Sequence, residues 1–236
     1  MTETIAGRTI GAAFMAGRER LRATGIEDPD LEAELLLRHA LGYDRARFYR
    51  DLATAIEPGA LSRYGNYLRR REQHEPAAYI TGEREFYGLD FAVTPAVLIP
   101  RPDTEVLVEA ALDCLRRRLA AGVERLVVAD VGTGSGTIAV SIAVALPEAL
   151  VYALDASPAA LAVAQSNARR HGVDARITCL EGDLLQPLAA VPDLKLDVAV
   201  ANLPYVTTPD WRALPPELRD HEPRLALDGG VDGLDV

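Results

Sequence analysis

The chain has 236 residues, is 49% apolar and carries a formal net charge of −10, so it holds enough apolar side chain for one sizeable core and a second small one. A quarter of the residues are charged and no repeat or low-complexity tract occurs, which argues against extended disorder. The acidic balance disfavours nucleic acid as the main partner, because phosphate binding wants a net basic face.

Local basic clusters at Arg69-Arg70-Arg71 and Arg116-Arg117-Arg118 read as solvated helix faces, with contact to an acidic partner as the alternative. Cys114 and Cys179 lie far apart in apolar surroundings and read as reduced core thiols of a cytosolic protein. His39, His74, His171 and His221 show no ligand spacing, so no metal site is expected. The opening MTETIAG lacks the basic-then-apolar pattern of a signal peptide. The most apolar stretch, Ile138 to Val151, is broken by Pro147 and Glu148 and is too short for a bilayer. A soluble, cytoplasmic protein with no membrane partner is expected.

In chain order, the first third is helical. Asp28-Pro29 offers an N-cap with proline at the first helical position, Leu31, Leu35, Leu36 and Ala40 share a face, and Gly42 ends the helix. Asp44 caps a helix through Phe48, Tyr49 and Leu52, and Pro58-Gly59 opens another carrying Leu61, Tyr64 and Leu68. Residues 1–75 therefore form a small all-α domain. Residues 78–93, AYITGEREFYGLDFAV, alternate aromatic and β-branched positions around Gly82 and Gly88, which suits a β-hairpin linking two domains across residues 76–100. Three prolines in PAVLIPRPDTE exclude regular structure until Asp103 or Thr104 caps a helix running to about Ala121.

From Arg125 the chain alternates strand and helix: LVVADV, a glycine loop, helix 135–146, LVYALD, helix 158–171, RITCLEGD and LDVAVAN. Strands apolar at nearly every position are buried on both faces, as in a parallel sheet covered by helices. Residues 101–236 are thus expected to form a doubly wound, Rossmann-like α/β domain with its ligands at the carboxyl ends of the strands.

The first of those ends carries Asp130-Val131-Gly132-Thr133-Gly134-Ser135-Gly136. Glycines let the backbone turn sharply and let a ligand approach without meeting Cβ atoms. Asp155 closes the next strand about 20 residues on, where a carboxylate can accept from both hydroxyls of a ribose. The spacing G-x-G-x-G differs from the dinucleotide fingerprint, and Asp130 before the first glycine opposes a pyrophosphate while suiting the cationic amino or sulfonium end of S-adenosylmethionine. Gly182-Asp183 turns after the third strand. A merely tight strand-to-helix turn is the plain alternative, and it leaves both acids unexplained.

Asn202-Leu203-Pro204-Tyr205 ends the fourth strand, next to the first in the usual order. A planar nitrogen is a poor nucleophile because its lone pair is delocalised, so it must be held facing the methyl carbon. The Asn202 oxygen and a backbone carbonyl can accept from an NH₂ group, and Tyr205 can lie against the flat face of the target. An ordinary turn is the alternative.

This constellation is similar to the amino-methyltransferases whose motif reads N/D-P-P-Y/F. Across EPAAYITGEREFYGLDFAV, LIPRPDTE, DVGTGSG, ALDAS, NLPY and HEPRLALDGGVDGLD the chain resembles the release factor glutamine methyltransferases, the PrmC/HemK family, from the helical domain to the end. The resemblance implies transfer of a methyl group from S-adenosylmethionine to the glutamine amide in the GGQ loop of class 1 peptide chain release factors. It implies that Gly132, Thr133, Gly134, Ser135, Gly136, Asp155, Asp183 and Leu184 hold the cofactor with Asn202, that Asn202, Leu203, Pro204 and Tyr205 bind the glutamine amide, and that the helical domain grips the release factor. Asn202, Pro204 and Tyr205 are then the catalytic set. Leu203 departs from the family's proline; its carbonyl survives, but the fixed φ is lost and an N–H is gained. The resemblance also implies that the family's last three strands are missing after Val236, leaving the fourth strand an exposed apolar edge. Two other functions stay open at this point: methylation of the exocyclic amine of adenine, and a non-catalytic remnant that binds cofactor or partner.

Overall fold

Thr9 starts the first helix, α1 (Ile10–Ala23), by accepting the Ala12 N–H through its hydroxyl in the computed structural model, which describes residues 9–236. Residues 1–8, including the opening MTETIAG, lie outside the described residues. Four more helices follow: α2 (Pro29–Leu41), α3 (Arg45–Arg50), α4 (Pro58–Arg71) and α5 (Ala77–Thr81). Residues up to Thr81 form one compact unit, and Gly82 to the end forms another.

In the first unit, Gly42 ends α2 in the left-handed conformation, and the Asp44 carboxylate accepts the Arg47 N–H to cap α3. Asp28 occupies the N-cap of α2, but its side chain makes no capping bond. The expected core face of α2 is corrected. Leu31 is 57% exposed and Leu35 also faces outward, while Ala33, Glu34, Leu36, Leu37 and Ala40 are buried. The reason is Glu34, which a helical pattern assigns to water. Its carboxylate accepts from Tyr49 Oη at 2.6 Å and pairs with Arg45 at 3.1 Å and Arg38 at 3.4 Å, so it is satisfied inside and the buried stripe rotates around it. Phe48, Tyr64 and Leu68 fill the core with α1 and α2.

The hairpin is shorter than the sequence suggests. Residues Ala77–Thr81 are helical, and only β1 (Glu83–Phe86) and β2 (Leu89–Ala92) pair, antiparallel. Positive φ at both Tyr87 and Gly88 makes the primed turn that matches strand twist. Tyr87 tolerates that conformation because its N–H donates to Glu105 Oε1 at 2.9 Å. Phe86 and Phe91 then enter the core of the second unit edge to face, 6.2 Å apart.

The main sheet has the parallel strands β3 (Leu126–Val131), β4 (Ala149–Asp155), β5 (Ile177–Glu181) and β6 (Val198–Ala201) in the order β5-β4-β3-β6. Helices α6 (Thr104–Ala120), α7 (Thr137–Ala145) and α8 (Pro158–Arg170) connect and cover them. α7 has almost no polar face, and Thr137 through Ala143 are all buried, as a helix packed between sheet and neighbours requires. The chain runs outward from β3 to β5 on one side and returns to β6 on the other, so the carboxyl ends of β3 and β6 diverge into a crevice. β6 forms an edge, with Ala199 and Ala201 exposed. Short helices α9 (Thr208–Ala213) and α10 (Pro216–Arg219) follow.

Cys114 and Cys179 are free thiols, and burial pushes the Cys179 thiol up from its ordinary pKa. Among the described residues no cluster of three or more His, Cys, Asp and Glu could hold a metal, and no helix is long and apolar enough to cross a membrane.

Candidate active site

The loop between β3 and α7 passes through positive φ at Gly132 (71°), Gly134 (55°) and Gly136 (80°), which is why this segment carries glycine at every second position. Thr133 and Ser135 between them are buried. Thr133 N–H donates to the Leu154 carbonyl at 2.9 Å, and Gly134 N–H donates to Asp155 Oδ2 at 2.9 Å. Asp155 Oδ1 accepts from Ser157 N–H at 2.9 Å. These bonds fix the carboxylate at the end of β4 and leave acceptor positions on both oxygens.

A cavity of about 250 Å³ opens at this crevice, and its wall includes Gly132, Thr133, Gly134, Ser135, Asp155, Asp183, Leu184, Asn202, Leu203 and Pro204. The glycine loop and the tetrapeptide therefore share one pocket. Around Gly134 nothing lies within 4 Å of where a Cβ would stand, so its backbone is open to a ligand. Gly136 instead meets Ala164 of α8, whose Cβ is 3.0 Å from an added Cβ, and its role is helix packing. Leu184 has φ 47° in the turn after β5, where Asp183 Oδ2 accepts from Gln186 Nε2 at 2.9 Å.

Asp130 is not part of the cavity wall. It is 0% exposed beneath the loop, where Oδ2 accepts from Thr133 Oγ1 at 2.6 Å and Ala139 N–H at 3.1 Å, while Oδ1 has no partner. Burial pushes its carboxyl up to about 6, with Asp155 adding in the same direction. The direct ligand contact suggested by its position in sequence is replaced by a brace under the loop, whose charge acts through space.

A second cavity, about 320 Å³, lies against the same tetrapeptide and is lined by Asn202, Leu203, Pro204, Tyr205, Thr104, Leu107 and Leu218. Tyr205 belongs to this cavity only and is 74% exposed. Asn202 Nδ2 donates to Thr104 Oγ1 at 3.3 Å. With its NH₂ group engaged, the amide presents Oδ1 as an acceptor.

Residues of HEPRLALDGG, a stretch that carried the resemblance but was assigned no role from sequence, hold the tetrapeptide from outside. Val206 N–H donates to the Leu227 carbonyl at 3.0 Å, and Gly229 N–H donates to the Val206 carbonyl at 2.8 Å. A Cβ at Gly229 would stand 2.7 Å from the Pro204 oxygen, so the Asp228-Gly229-Gly230 turn must be glycine to lie against Pro204. Buried Glu222 accepts from Ile99 N–H at 3.2 Å and pairs with Arg101, tying EPRLALDGG to LIPRPDTE. Arg101 is the one cationic side chain in the wall of either cavity among the described residues.

A parallel sheet in this order, with a glycine loop on β3 and the Asp155 carboxylate at the end of β4, defines a Rossmann-like S-adenosylmethionine-dependent methyltransferase. The open backbone at Gly134, the acceptor oxygens of Asp155 and the buried negative charge of Asp130 fit a cationic nucleoside. A family model described as PrmC N-terminal domain matches residues 12–82, and one described as Methyltransferase domain matches residues 128–221. The release factor glutamine methyltransferase of Moorella thermoacetica is 51% identical over 228 residues, covering 97% of this chain and 77% of that protein. Its counterpart in Geobacter sulfurreducens is 48% identical over 235 residues, covering 100% of this chain and 78% of that protein. The chain belongs to the release factor glutamine methyltransferase family.

Proposed function

We propose that the chain methylates the side-chain amide nitrogen of the glutamine in the GGQ loop of peptide chain release factors. The observation that supports it most is the position of Asn202, Leu203 and Pro204 as the common wall of two cavities, one lined by the glycine loop and Asp155, the other bordered by Tyr205. In this reading Gly132 to Gly136, Asp155, Asp183 and Leu184 hold the cofactor. Gly136 does so indirectly, through the packing of α7 and α8. The helical unit contributes contact with the release factor in the cytoplasm, and neither nucleic acid nor membrane is required.

When bound, the cofactor supplies an electrophilic methyl group on a sulfonium. The protein's part is orientation. Asn202 Oδ1 and the Leu203 carbonyl accept the two N–H bonds of the substrate amide, which aims the nitrogen and raises its electron density. Thr104 keeps Asn202 in the required rotation. Tyr205 covers the flat face of the amide and excludes water. Nothing in the scheme needs a general base, because the methylated nitrogen gives its proton to water.

Incubation of the chain with labelled cofactor and a release factor tests this directly. Label must enter at the GGQ glutamine and disappear when that glutamine is replaced by alanine. Asn202→Ala is expected to lower kcat about 10²- to 10³-fold, the usual loss for one oriented hydrogen-bonding group, and Asp155→Ala to weaken cofactor binding about tenfold or more. An unmodified release factor, or label at another residue, overturns the substrate assignment. Label on adenine in a nucleic acid would replace it with the amine reading.

A further inference from the structure

Asn167 sits in the middle of α8, 0% exposed and surrounded by Ala160, Leu161, Ala164 and Ala168 on the buried face. A primary amide in an alanine stripe is costly unless it is fully bonded, and this one is. Its Oδ1 accepts the Ala92 N–H at 2.8 Å. Its Nδ2 donates to the Ala92 carbonyl at 2.9 Å and to the Ser135 carbonyl at 2.8 Å. One N–H donor and two carbonyl acceptors surround it, so only this orientation of the amide satisfies all three.

The two elements it joins both serve the cofactor cavity. Ser135 is in the glycine loop and lines the cavity, and one turn before Asn167 on the same helix, Ala164 supports Gly136. Ala92 ends β2, and the segment that leaves it supplies Ala96, Val97 and Leu98 to the wall of the same cavity. Asn167 pairs with both polar groups of Ala92 as a neighbouring strand would, then spends its last N–H on the loop. Other links between α8 and the hairpin, Arg170 to Glu83 at 2.9 Å and His171 Nε2 to the Asp90 carbonyl at 3.0 Å, do not reach the glycine loop.

We infer that Asn167 is a positioning residue for the cofactor, setting the glycine loop against the hairpin exit through its three hydrogen bonds. The inference rests on the proposal that the glycine loop and Asp155 hold the cofactor. It makes cofactor affinity conditional on hairpin docking, and by linkage cofactor binding must stabilise the hairpin end in return.

Asn167→Asp keeps the acceptor for Ala92 N–H and removes both donors; Asn167→Ala removes all three bonds. Titration calorimetry is expected to show cofactor Kd raised about tenfold in both, with kcat at saturating cofactor within threefold of the parent. His171→Ala, which loosens the same hairpin without touching Ser135, should leave Kd within twofold. Asn167 variants that bind cofactor as the parent does, or a His171→Ala loss as large as theirs, overturn the inference. Asp155→Ala separates the two readings. If it also binds normally, the cleft assignment itself fails; if it alone loses binding, only the role of Asn167 fails. Should the Asn167 variants not fold, hydrogen exchange on the unmodified chain decides. Saturating cofactor must slow exchange at the Ala92 amide together with the loop amides, and an unchanged Ala92 rate overturns the coupling.

Discussion

Replacing Asp130 with asparagine isolates what a buried carboxylate costs beneath the glycine loop. Its side chain is wholly buried, one oxygen is unpartnered, and its pKa is pushed up to about 6 from 3.8, first by burial and then by Asp155, against the opposing bonds from Thr133 and Ala139. The folded chain thus holds this proton more tightly than the unfolded chain between those two values. Where the native state binds more protons, unfolding free energy falls as pH rises, so stability declines from about pH 4 to about pH 6 and is level above. A shift of about two pKa units at 1.36 kcal/mol each corresponds to about 3 kcal/mol at neutral pH. Asparagine removes the charge but places an N–H where Oδ1 had no partner, at about 1–2 kcal/mol, leaving a net gain of about 1–2 kcal/mol. Urea unfolding of Asp130→Asn without cofactor should show that gain at pH 7.5 and its loss at pH 4.0, where the parent carboxyl is protonated in the folded state and most of the charge-burial cost is gone. A variant less stable than the parent at pH 7.5, or an equal difference at both pH values, would refute the assignment of the charge. The same substitution should weaken cofactor binding, because the buried negative charge that destabilises the free protein attracts a cationic ligand.

Gly17→Ala would drive a Cβ into Tyr64 Oη and should destabilise the helical unit by about 3 kcal/mol. Since that hydroxyl is buried without a partner, Tyr64→Phe should be neutral or stabilising and should relieve part of the alanine's cost; strict additivity in a thermal double-mutant cycle would contradict the contact. Gly229→Ala would press on the Pro204 oxygen at 2.7 Å and should lower kcat at least tenfold while leaving cofactor Kd within about twofold. An equal loss in both would mean that the turn supports the whole cleft rather than the tetrapeptide.

Local pattern made the sheet legible. The apolar runs LVVADV, LVYALD and LDVAVAN became β3, β4 and β6, with β6 starting at Val198, and the glycine spacing marked where β3 turns into α7. What stayed hidden depends on partners distant in sequence. Glu34 looks like a solvent residue until Arg38, Arg45 and Tyr49 are brought around it. Asn167 carried a readable signal, a polar residue on an otherwise alanine and leucine face, but its partners are 75 and 32 residues away. AYIT has strand-like composition, yet after Pro76 its backbone closes a helical turn, with Ile80 N–H donating to the Pro76 carbonyl at 3.1 Å. The Gly229 turn was visible only as a motif, because close approach to Pro204 is a property of folded backbone.

Leu203 shows how packing can replace a torsional constraint. Proline there would fix φ and reduce unfolded-state entropy, an effect of about 0.4–1 kcal/mol. Leucine gives that up, but its side chain packs onto the cluster of Ala129, Val131, Leu154 and Leu188. Burying part of a leucine contributes about 1 kcal/mol, a fraction of the 1.5–3 for full burial, so the two effects are of similar size. Its Cδ2 also lies 3.0 Å from where a Cβ on Gly132 would stand. Gly132 is therefore constrained twice, by φ 71° and by this neighbour. The loop and the tetrapeptide, separate in sequence, thus lie side by side in the fold, and a side chain at Gly132 would have to displace Leu203.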